Sequence, residues 1–309
     1  MPPTRRFSCL FVLFAFAICA PAMAEGSDQT VPTPQIVTAK IRLDDLSMII
    51  VPVSINGSRP YDFLFDTGSS KTMIDRKLAE ELGLPQIGER KIMGVLGSTS
   101  MSVVRANSVS VAGATISDLN VSSTEKRMTV SKVRGVLGQD FLQQFDVLID
   151  YRHLTVQLAP ASGTLAQTLT GERLPLHMDQ TNPGRSAPNR LIISGHVPEL
   201  GTEEMSLLLD SGANCFTLFK DNLGLLADRR EPANTGDFGS WTKSEVATRT
   251  LRVLSLGKKS VPDLTVVTIS HPVNTDTDGL VPTSLFKSIF ISSRGGFVIL
   301  NPSFPKTSR

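Results

Sequence analysis

Short apolar runs recur along the chain and end at turn-forming residues. The segments MIIVPVSING (48–57) and YDFLFDTG (61–68) are rich in β-branched and aromatic residues, which is typical of strands. Residues 100–123 contain stretches that alternate between apolar and polar side chains, with a turn at Ala112-Gly113. The segment FDVLIDYRHLTVQL (145–158) predicts two strands around a turn near Tyr151.

One segment has helical rather than strand periodicity. In RKLAEELG (76–83), Leu78 and Leu82 fall on one face, Asp75 precedes the run and Gly83 ends it. An acid before such a run is a good N-cap, and a glycine after it is a common stop. The sequence therefore predicts mostly strands with one or two short helices in each half.

Landmarks coincide when the chain is shifted by 144 residues. The unit that recurs is about 125 residues long, so we expect one fold used twice. The coinciding pairs are Gly57 with Gly201, Asp66-Thr67-Gly68 with Asp210-Ser211-Gly212, Gly113 with Gly257, Gly135-Val136-Leu137 with Gly279-Leu280-Val281, and 153–156 with 297–300.

Each unit places an acid directly after an apolar strand, in FLFDTGSS (63–70) and in LLLDSGAN (207–214). If the two units pack face to face, Asp66 and Asp210 meet, and like charges that close share one proton. The ionised acid then takes a proton from water and the protonated acid donates to a carbonyl oxygen. This chemistry hydrolyses an amide without a metal, whereas the alternative is that both acids are ordinary turn residues.

These motifs resemble those of aspartic proteases of the pepsin and retropepsin superfamily, most of all bacterial aspartyl protease family proteins with retropepsin-like repeats. The resemblance covers almost all of residues 36–305. It implies a mainly β, two-lobed acid-protease fold in which each lobe is a closed, β-barrel-like unit. It also implies that Asp66 and Asp210 are the catalytic pair and that four neighbours support them: Thr67, Gly68, Ser211 and Gly212.

The same resemblance implies a hairpin flap that closes over the substrate. Its counterpart in the first unit is KIMGVLGSTSMSV (91–103), and the second unit offers TGDFGSWTKSEV (235–246). Alternatively, the glycines mark a plain hairpin turn and the single tryptophan is a packing residue. The candidate substrate contacts are Gly94, Val95, Leu96, Gly97, Phe238 and Trp241.

The second unit departs from the family pattern. Pro282 stands where the first unit has Gly138, and Ala213 stands where it has Ser69. Cys215 has no role in the family and reads as a small buried apolar residue. A peptide-binding protein with weak or no hydrolysis therefore stays open as an alternative. A two-carboxylate glycoside hydrolase is a remote alternative, because it does not explain the hydroxylated residue and glycine after each acid.

The N-terminus predicts export. Arg5 and Arg6 precede an apolar run from Phe7 to Ala20 and an A-x-A site at 22–24, as in a secretory signal peptide. We favour the general secretory route over the twin-arginine route and expect a periplasmic or secreted protein with no membrane attachment after cleavage. The expected divisions are a signal peptide 1–24, a polar leader 25–35, an N-terminal lobe 36–160, a linker 161–173, a C-terminal lobe 174–305 and a tail 306–309.

Charge and composition restrict the kinds of partner and cofactor that we expect the chain to bind. Loss of the two signal arginines leaves 29 basic residues against 29 acidic ones, so nothing indicates binding to nucleic acid. Cys215 would be the one remaining cysteine, which excludes an internal disulfide. The four histidines have no metal-ligand spacing, and no P-loop or dinucleotide fingerprint occurs. We expect no metal, no cofactor, an extended peptide or protein substrate, and a monomer.

Overall fold

The structure is a computed structural model of the 309-residue chain. Strands dominate it, which confirms the predicted mainly β, two-lobed acid-protease fold class. The residues that it describes are 12–13, 16–17, 35–93, 98–125, 132–161, 163–177, 190–201, 203–219, 229–237, 240–269 and 277–304.

Twenty-three strands and five short helical segments lie within these ranges. The helices are α1 (Arg76–Glu81), α2 (Gln139–Leu142) and α3 (Thr164–Gln167), with 3₁₀ turns at Pro198–Leu200 and Thr283–Leu285. The strands are β1 (Val12–Leu13), β2 (Phe16–Ala17), β3 (Val37–Lys40), β4 (Arg42–Leu43), β5 (Ile49–Ile55), β6 (Tyr61–Phe65), β7 (Met73–Asp75), β8 (Gln86–Met93), β9 (Ser98–Val111), β10 (Ala114–Thr124), β11 (Gly135–Leu137), β12 (Phe145–Asp150), β13 (Thr155–Pro160), β14 (Arg173–Pro175), β15 (Ile192–Gly195), β16 (Met205–Asp210), β17 (Phe216–Leu218), β18 (Arg229–Asp237), β19 (Ser240–Leu256), β20 (Lys259–Thr268), β21 (Gly279–Pro282), β22 (Ser288–Ser292) and β23 (Phe297–Leu300).

Two large sheets carry the two lobes. The first has the strand order β2-β8-β9-β10-β7-β11-β6-β5-β4, and the second has the order β1-β18-β19-β20-β17-β21-β16-β15. In the first sheet β11 runs parallel to β6, with Leu137 opposite Phe65. In the second, β21 runs parallel to β16, with Val281 opposite Leu209. The same strand pairing therefore recurs 144 residues along the chain.

A third sheet joins the lobes. Its order is β14-β23-β22-β12-β13-β3, and its central pair is antiparallel. Strand β12 comes from the first half and β22 from the second, with Ile149 opposite Ile289. This backbone ladder ties the first half of the chain to the second.

Each large sheet buries both faces. Side chains alternate along a strand, so Phe63 and Phe65 enter the main core while Leu64 faces the other way. Burying one such large side chain contributes about 1.5–3 kcal/mol. On the opposite face, a flap-side cluster in the first lobe comprises Met48, Ile50, Leu64, Met73, Ile92, Met101, Val133 and Val136. The flap-side cluster of the second lobe comprises Ile192, Leu208, Ala213, Phe219, Val267, Ile269 and Leu280.

Local sequence signals account for several element boundaries. The predicted helix is confirmed: Asp75 caps α1 by accepting from the N–H groups of Lys77 and Leu78. The predicted turn near Tyr151 is confirmed between β12 and β13. Within the segment predicted to link the lobes, α3 buries Leu165 against the six-stranded sheet.

The segment 1–24, which the sequence predicts to be a signal peptide, contains the two short strands β1 and β2. Strand β2 pairs with β8, and β1 pairs with β18. None of the helices that the structure describes has the length and apolar character needed to cross a membrane.

Glycine is required where β11 lies between β6 and β7. A Cβ on Gly135 would overlap the ring of Phe63 and the carbonyl oxygen of Met73. We expect Gly135→Ala to lower the free energy of unfolding by about 2–3 kcal/mol, because neither neighbour can move cheaply. Gly88→Ala is the matched control, since a Cβ there meets open space. Urea denaturation of both variants checks this, and equal stabilities would contradict the packing described.

Candidate active site

The two acids sit at the ends of matched strands. Asp66 follows β6 directly, and Asp210 is the last residue of β16. Both side chains are fully buried, at 0% exposure. The N–H of Asp66 donates to the carbonyl oxygen of Leu137 at 3.0 Å, which ties the first acid to β11. Asp210 lies opposite Pro282 of β21 in the parallel ladder.

The residues after the acids bind each other across the lobes. Thr67 Oγ1 donates to the carbonyl oxygen of Leu209 at 3.0 Å and accepts from the N–H of Ser211 at 2.9 Å. Ser211 Oγ donates to the carbonyl oxygen of Phe65 at 2.7 Å and accepts from the N–H of Thr67 at 2.9 Å. All four bonds are buried. Each hydroxyl therefore links its own loop to the strand end of the other lobe.

This linkage brings the second acid loop against the first carboxylate. A Cβ on Gly212 would lie 2.7 Å from Asp66 Oδ2 and 2.8 Å from its Cγ. Every residue other than glycine carries a Cβ, so only glycine fits at that position unless the carboxylate moves. Gly212 thus allows the second acid loop to approach the first carboxylate closely.

One oxygen of each acid is held by backbone N–H groups. Asp66 Oδ1 accepts from Gly68 and Ser69, both at 3.0 Å, and Asp210 Oδ1 accepts from Gly212 at 2.8 Å. The Oδ2 atom of each acid is buried and accepts no hydrogen bond from the part of the chain that the structure describes. Both Oδ2 atoms are therefore available to hold a proton or a polar ligand.

Burial disfavours the charged form of both acids. It raises the pKa of Asp66 to about 7, against the lowering effect of the N–H bonds from Ser69 and Gly68. Burial also raises the pKa of Asp210 well above its ordinary value, and the nearby charge of Asp66 raises it further. The charge of Arg190 acts in the opposite direction. Because the two acids interact, they titrate as a pair.

The first acid loop has a glutamine brace. The side-chain amide of Gln139 donates to the carbonyl oxygen of Thr67 at 2.8 Å, and its backbone N–H donates to that of Ser69 at 2.8 Å. The preceding N–H, of Gly138, donates to Thr72 Oγ1 at 3.1 Å. A Cβ on Gly138 would lie 2.5 Å from the backbone of Lys71, so this brace also requires glycine.

The second acid loop is braced differently. Pro282 has no N–H, so it cannot make the bond that Gly138 makes. The next residue, Thr283, is fully buried and lies 2.6 Å from the hydroxyl of Tyr151. Burial raises the pKa of Tyr151, and the charge of Asp210 also raises it. A tyrosine that follows β12 thus supports the loop of the other lobe.

The resemblance implies that the segments 136–138 and 280–282 brace the two acid loops, but it does not specify the side chains that do so. Gln139, Tyr151 and Thr283 were given no role, although Pro282 signalled that the second loop is supported in another way. The Tyr151 contact spans 132 residues and leaves no local pattern. Only the pairing of β12 with β22 brings its partners together.

Both predicted flaps fall partly outside the described residues. Strands β8 and β9 form a hairpin with Met93 opposite Ser98, but Gly94, Val95, Leu96 and Gly97 lie outside the description. Strands β18 and β19 form the second hairpin. Phe238 also lies outside, and Trp241 is described only as a backbone position opposite Gly236.

The other candidates from the sequence are Cys215 and possible metal ligands. Cys215 is half-buried and packs against the flap-side cluster of the second lobe, in agreement with its interpretation as a small apolar residue. No group of three or more potential metal ligands occurs within the described ranges.

Comparison with known proteins finds a family match within the first lobe. Residues 51–141 match the family described as aspartyl protease, from β5 through the first acid loop to α2. The match confirms the resemblance of this chain to aspartic proteases of the pepsin and retropepsin superfamily. It ends before the second lobe. No curated protein matches the chain.

The hydroxyl of Thr67 provides a direct test of the linkage between the lobes. We expect Thr67→Val to lower the free energy of unfolding by about 2–4 kcal/mol, because a buried carbonyl and a buried N–H lose their partner. Thr115→Val is the control, since its hydroxyl is exposed and, among the described residues, donates to the carbonyl oxygen of Gly113 alone. Chemical denaturation measures both. A loss no larger than that of the control would contradict the buried linkage.

The raised pKa values predict a pH dependence of stability. An acid whose pKa rises from 3.8 to about 7 on folding binds its proton more tightly in the folded state. Its stabilising effect is complete below pH 3.8 and is lost as the pH rises through about 7. We expect the unfolding free energy to fall by roughly 4 kcal/mol over this interval. The double variant Asp66→Asn/Asp210→Asn should lose that slope, and a wild-type slope in this variant would refute the assignment.

Proposed function

We propose that the chain is an aspartic-type endopeptidase in which Asp66 and Asp210 activate a water molecule against a peptide bond. The observation that carries this proposal is the reciprocal bonding of Thr67 and Ser211 across the lobes. It supports a single site made from two buried acids, each with one oxygen that accepts no hydrogen bond from the described residues.

The chemistry follows from the shared proton. The ionised member of the pair removes a proton from water, and the oxygen of that water attacks the peptide carbonyl carbon. The protonated member donates to the carbonyl oxygen, which gives a neutral tetrahedral intermediate. The member that took the proton from water then donates it to the amide nitrogen, while the other member takes a proton from a hydroxyl group of the intermediate. The C–N bond breaks, and the products are a carboxylic acid and an amine. The pair ends with the single proton with which it began.

We infer the substrate class from the two hairpins, β8–β9 and β18–β19. An extended peptide binds by adding a strand to a free sheet edge. The outer edges of β8 and β18 each pair with a two-residue strand of the N-terminal segment, antiparallel at Ile92 and parallel at Gly236. These pairings support hairpin edges that accept an extended chain, and we propose a peptide or unfolded protein segment as the substrate.

Cellular setting and assembly are also part of the proposal. In residues 1–24 a charged stretch, an apolar run and small residues follow one another in the order typical of a secretory signal peptide. This order supports export to the periplasm or the medium. Because both acids come from one chain, the site needs no second copy, and we propose a monomer.

One observation favours a second candidate, a peptide-binding protein with little hydrolysis. Pro282 replaces the glycine whose N–H supports the first loop. The contact between Tyr151 and Thr283 supplies a different support, which is why we rank hydrolysis first.

Replacement of each acid by its uncharged amide tests the proposed role of the two acids in catalysis. We expect Asp66→Asn and Asp210→Asn each to abolish cleavage of a denatured protein or a peptide library, because a single acid cannot act as base and donor at once. Asp62→Asn is the control, since it changes an exposed acid of β6 in an ion pair with Arg42. Product formation is followed by mass spectrometry across acidic to neutral pH. Cleavage that persists in both dyad variants would refute the mechanism.

If the wild-type protein binds peptides without cleaving them, the second candidate replaces the first. Circular dichroism of each variant separates loss of chemistry from loss of fold.

A further inference from the structure

A cavity lies beside the six-stranded sheet that joins the lobes. Its volume is about 350 Å³, and its walls come from the segment around α3, from β14 and from the turn between β22 and β23. Ligand pockets in proteins measure roughly 300–1,000 Å³, so this cavity has the size for a small molecule. None of the described residues that line it belongs to the acid loops or to the hairpins β8–β9 and β18–β19.

Small residues leave this space open. The α3 segment contributes Ala161, Gly163 and Ala166 to the lining, and the turn between β22 and β23 contributes Gly295. A Cβ on Gly163 would meet no atom within 4 Å, so this glycine borders open space. Phe297 adds an aromatic side chain to the walls. The cavity therefore offers room and an apolar surface for the body of a ligand.

The charged residues in the described lining are two arginines, Arg173 of β14 and Arg294 of the turn. The Arg173 guanidinium lies 4.5 Å from the centre of the Phe297 ring, and Arg294 Nη2 donates to Gln144 Oε1 at 3.0 Å. These contacts hold both guanidiniums without neutralising them, because neither partner is charged. In the part of the chain that the structure describes, neither arginine forms an ion pair with a carboxylate.

A buried hydroxyl gives the cavity a second, different end. Ser292 is 3% exposed, and its Oγ donates to Asp146 Oδ1 at 2.7 Å and accepts from the N–H of Gly295 at 3.2 Å. Its only proton is therefore committed to Asp146, a buried acid, so Ser292 has no donor to offer a ligand. An anion is disfavoured at this end and favoured at the arginines, which gives a bound anion a defined orientation.

We propose that the cavity is a binding site for a small organic anion whose oxyanion, a carboxylate or a phosphate, is held by Arg173 and Arg294. The apolar part of the ligand packs against Phe297 and the small residues of the α3 segment. The site is separate from the acid loops, so this inference does not rest on the endopeptidase function.

The chemistry of the arginines determines the class of ligand. A guanidinium carries five N–H donors in a planar fork that matches the oxygens of a carboxylate or a phosphate. Arg294 uses one donor for Gln144, and Arg173 donates to none of the described residues. Most of the donors on the two side chains therefore remain for an anion, and bonds between ionised partners are the strong ones.

Isothermal titration calorimetry of the full chain tests the site with four probes: inorganic phosphate, phenyl phosphate, N-acetylphenylalanine and the uncharged amide of N-acetylphenylalanine. We expect phenyl phosphate or N-acetylphenylalanine to bind with a Kd of about 1 mM or tighter. The amide should bind at least about tenfold more weakly than the acid, since it lacks the oxyanion. Added salt should weaken binding of the charged probes, because both arginine side chains are exposed.

Three single variants locate the binding. Arg173→Met and Arg294→Met should each weaken binding of the charged probes by about tenfold or more. Arg59→Met is the matched control, because its guanidinium also lies over a ring, 4.4 Å from the centre of Tyr61, but does not line the cavity. It should leave each Kd within about twofold of wild type. Ala161→Phe keeps both arginines but fills the cavity, so it should abolish binding of the two organic anions.

The relative affinities of the probes assign the ligand. Tighter binding of phenyl phosphate assigns a phosphate ester, and tighter binding of N-acetylphenylalanine assigns a carboxylate such as the C-terminal end of a peptide. Either result supports the inference. Failure of both organic anions to bind overturns it, as does equal binding of the uncharged amide.

The variants can overturn the inference independently of the choice of probe. Binding to Arg173→Met/Arg294→Met or to Ala161→Phe that is as tight as binding to the wild-type protein would exclude this cavity as the site. The three arginines are exposed, so their variants should keep the native fold, which circular dichroism checks.

Discussion

Two hydroxyl groups hold the candidate site together. Thr67 and Ser211 each bind the backbone of the opposite lobe through a donated and an accepted hydrogen bond, and all four bonds are buried. Buried polar groups of this kind are stable only when every partner is in place. The linkage therefore fixes the two acid loops against one another, and the interaction of the acids depends on it.

Much of this arrangement could be predicted from the sequence because it is written in local patterns. An apolar strand that ends in an acid, a hydroxylated residue and a glycine occurs twice, and it identified Asp66 and Asp210 together with their supports. The capped helix α1 and the turn near Tyr151 are also short-range signals. Such features need only a few neighbouring residues to specify their geometry.

The features that the sequence did not predict depend on contacts between distant segments. The contact of Tyr151 with Thr283 requires the pairing of β12 with β22. The proline at 282 marked the second loop as different, but only the fold shows which side chain compensates. The difference between the supports of the two acid loops is thus a property of the tertiary structure.

The central claim is that one proton is shared by two buried acids at a single site. The most direct measurement is an NMR titration of carboxyl ¹³C signals in protein labelled at aspartate, with the two resonances assigned from Asp66→Asn and Asp210→Asn. The account predicts that both signals respond to the same two protonation steps, with the pair still holding a proton well above pH 3.8. Two independent titrations, each near the ordinary aspartate value, would contradict it.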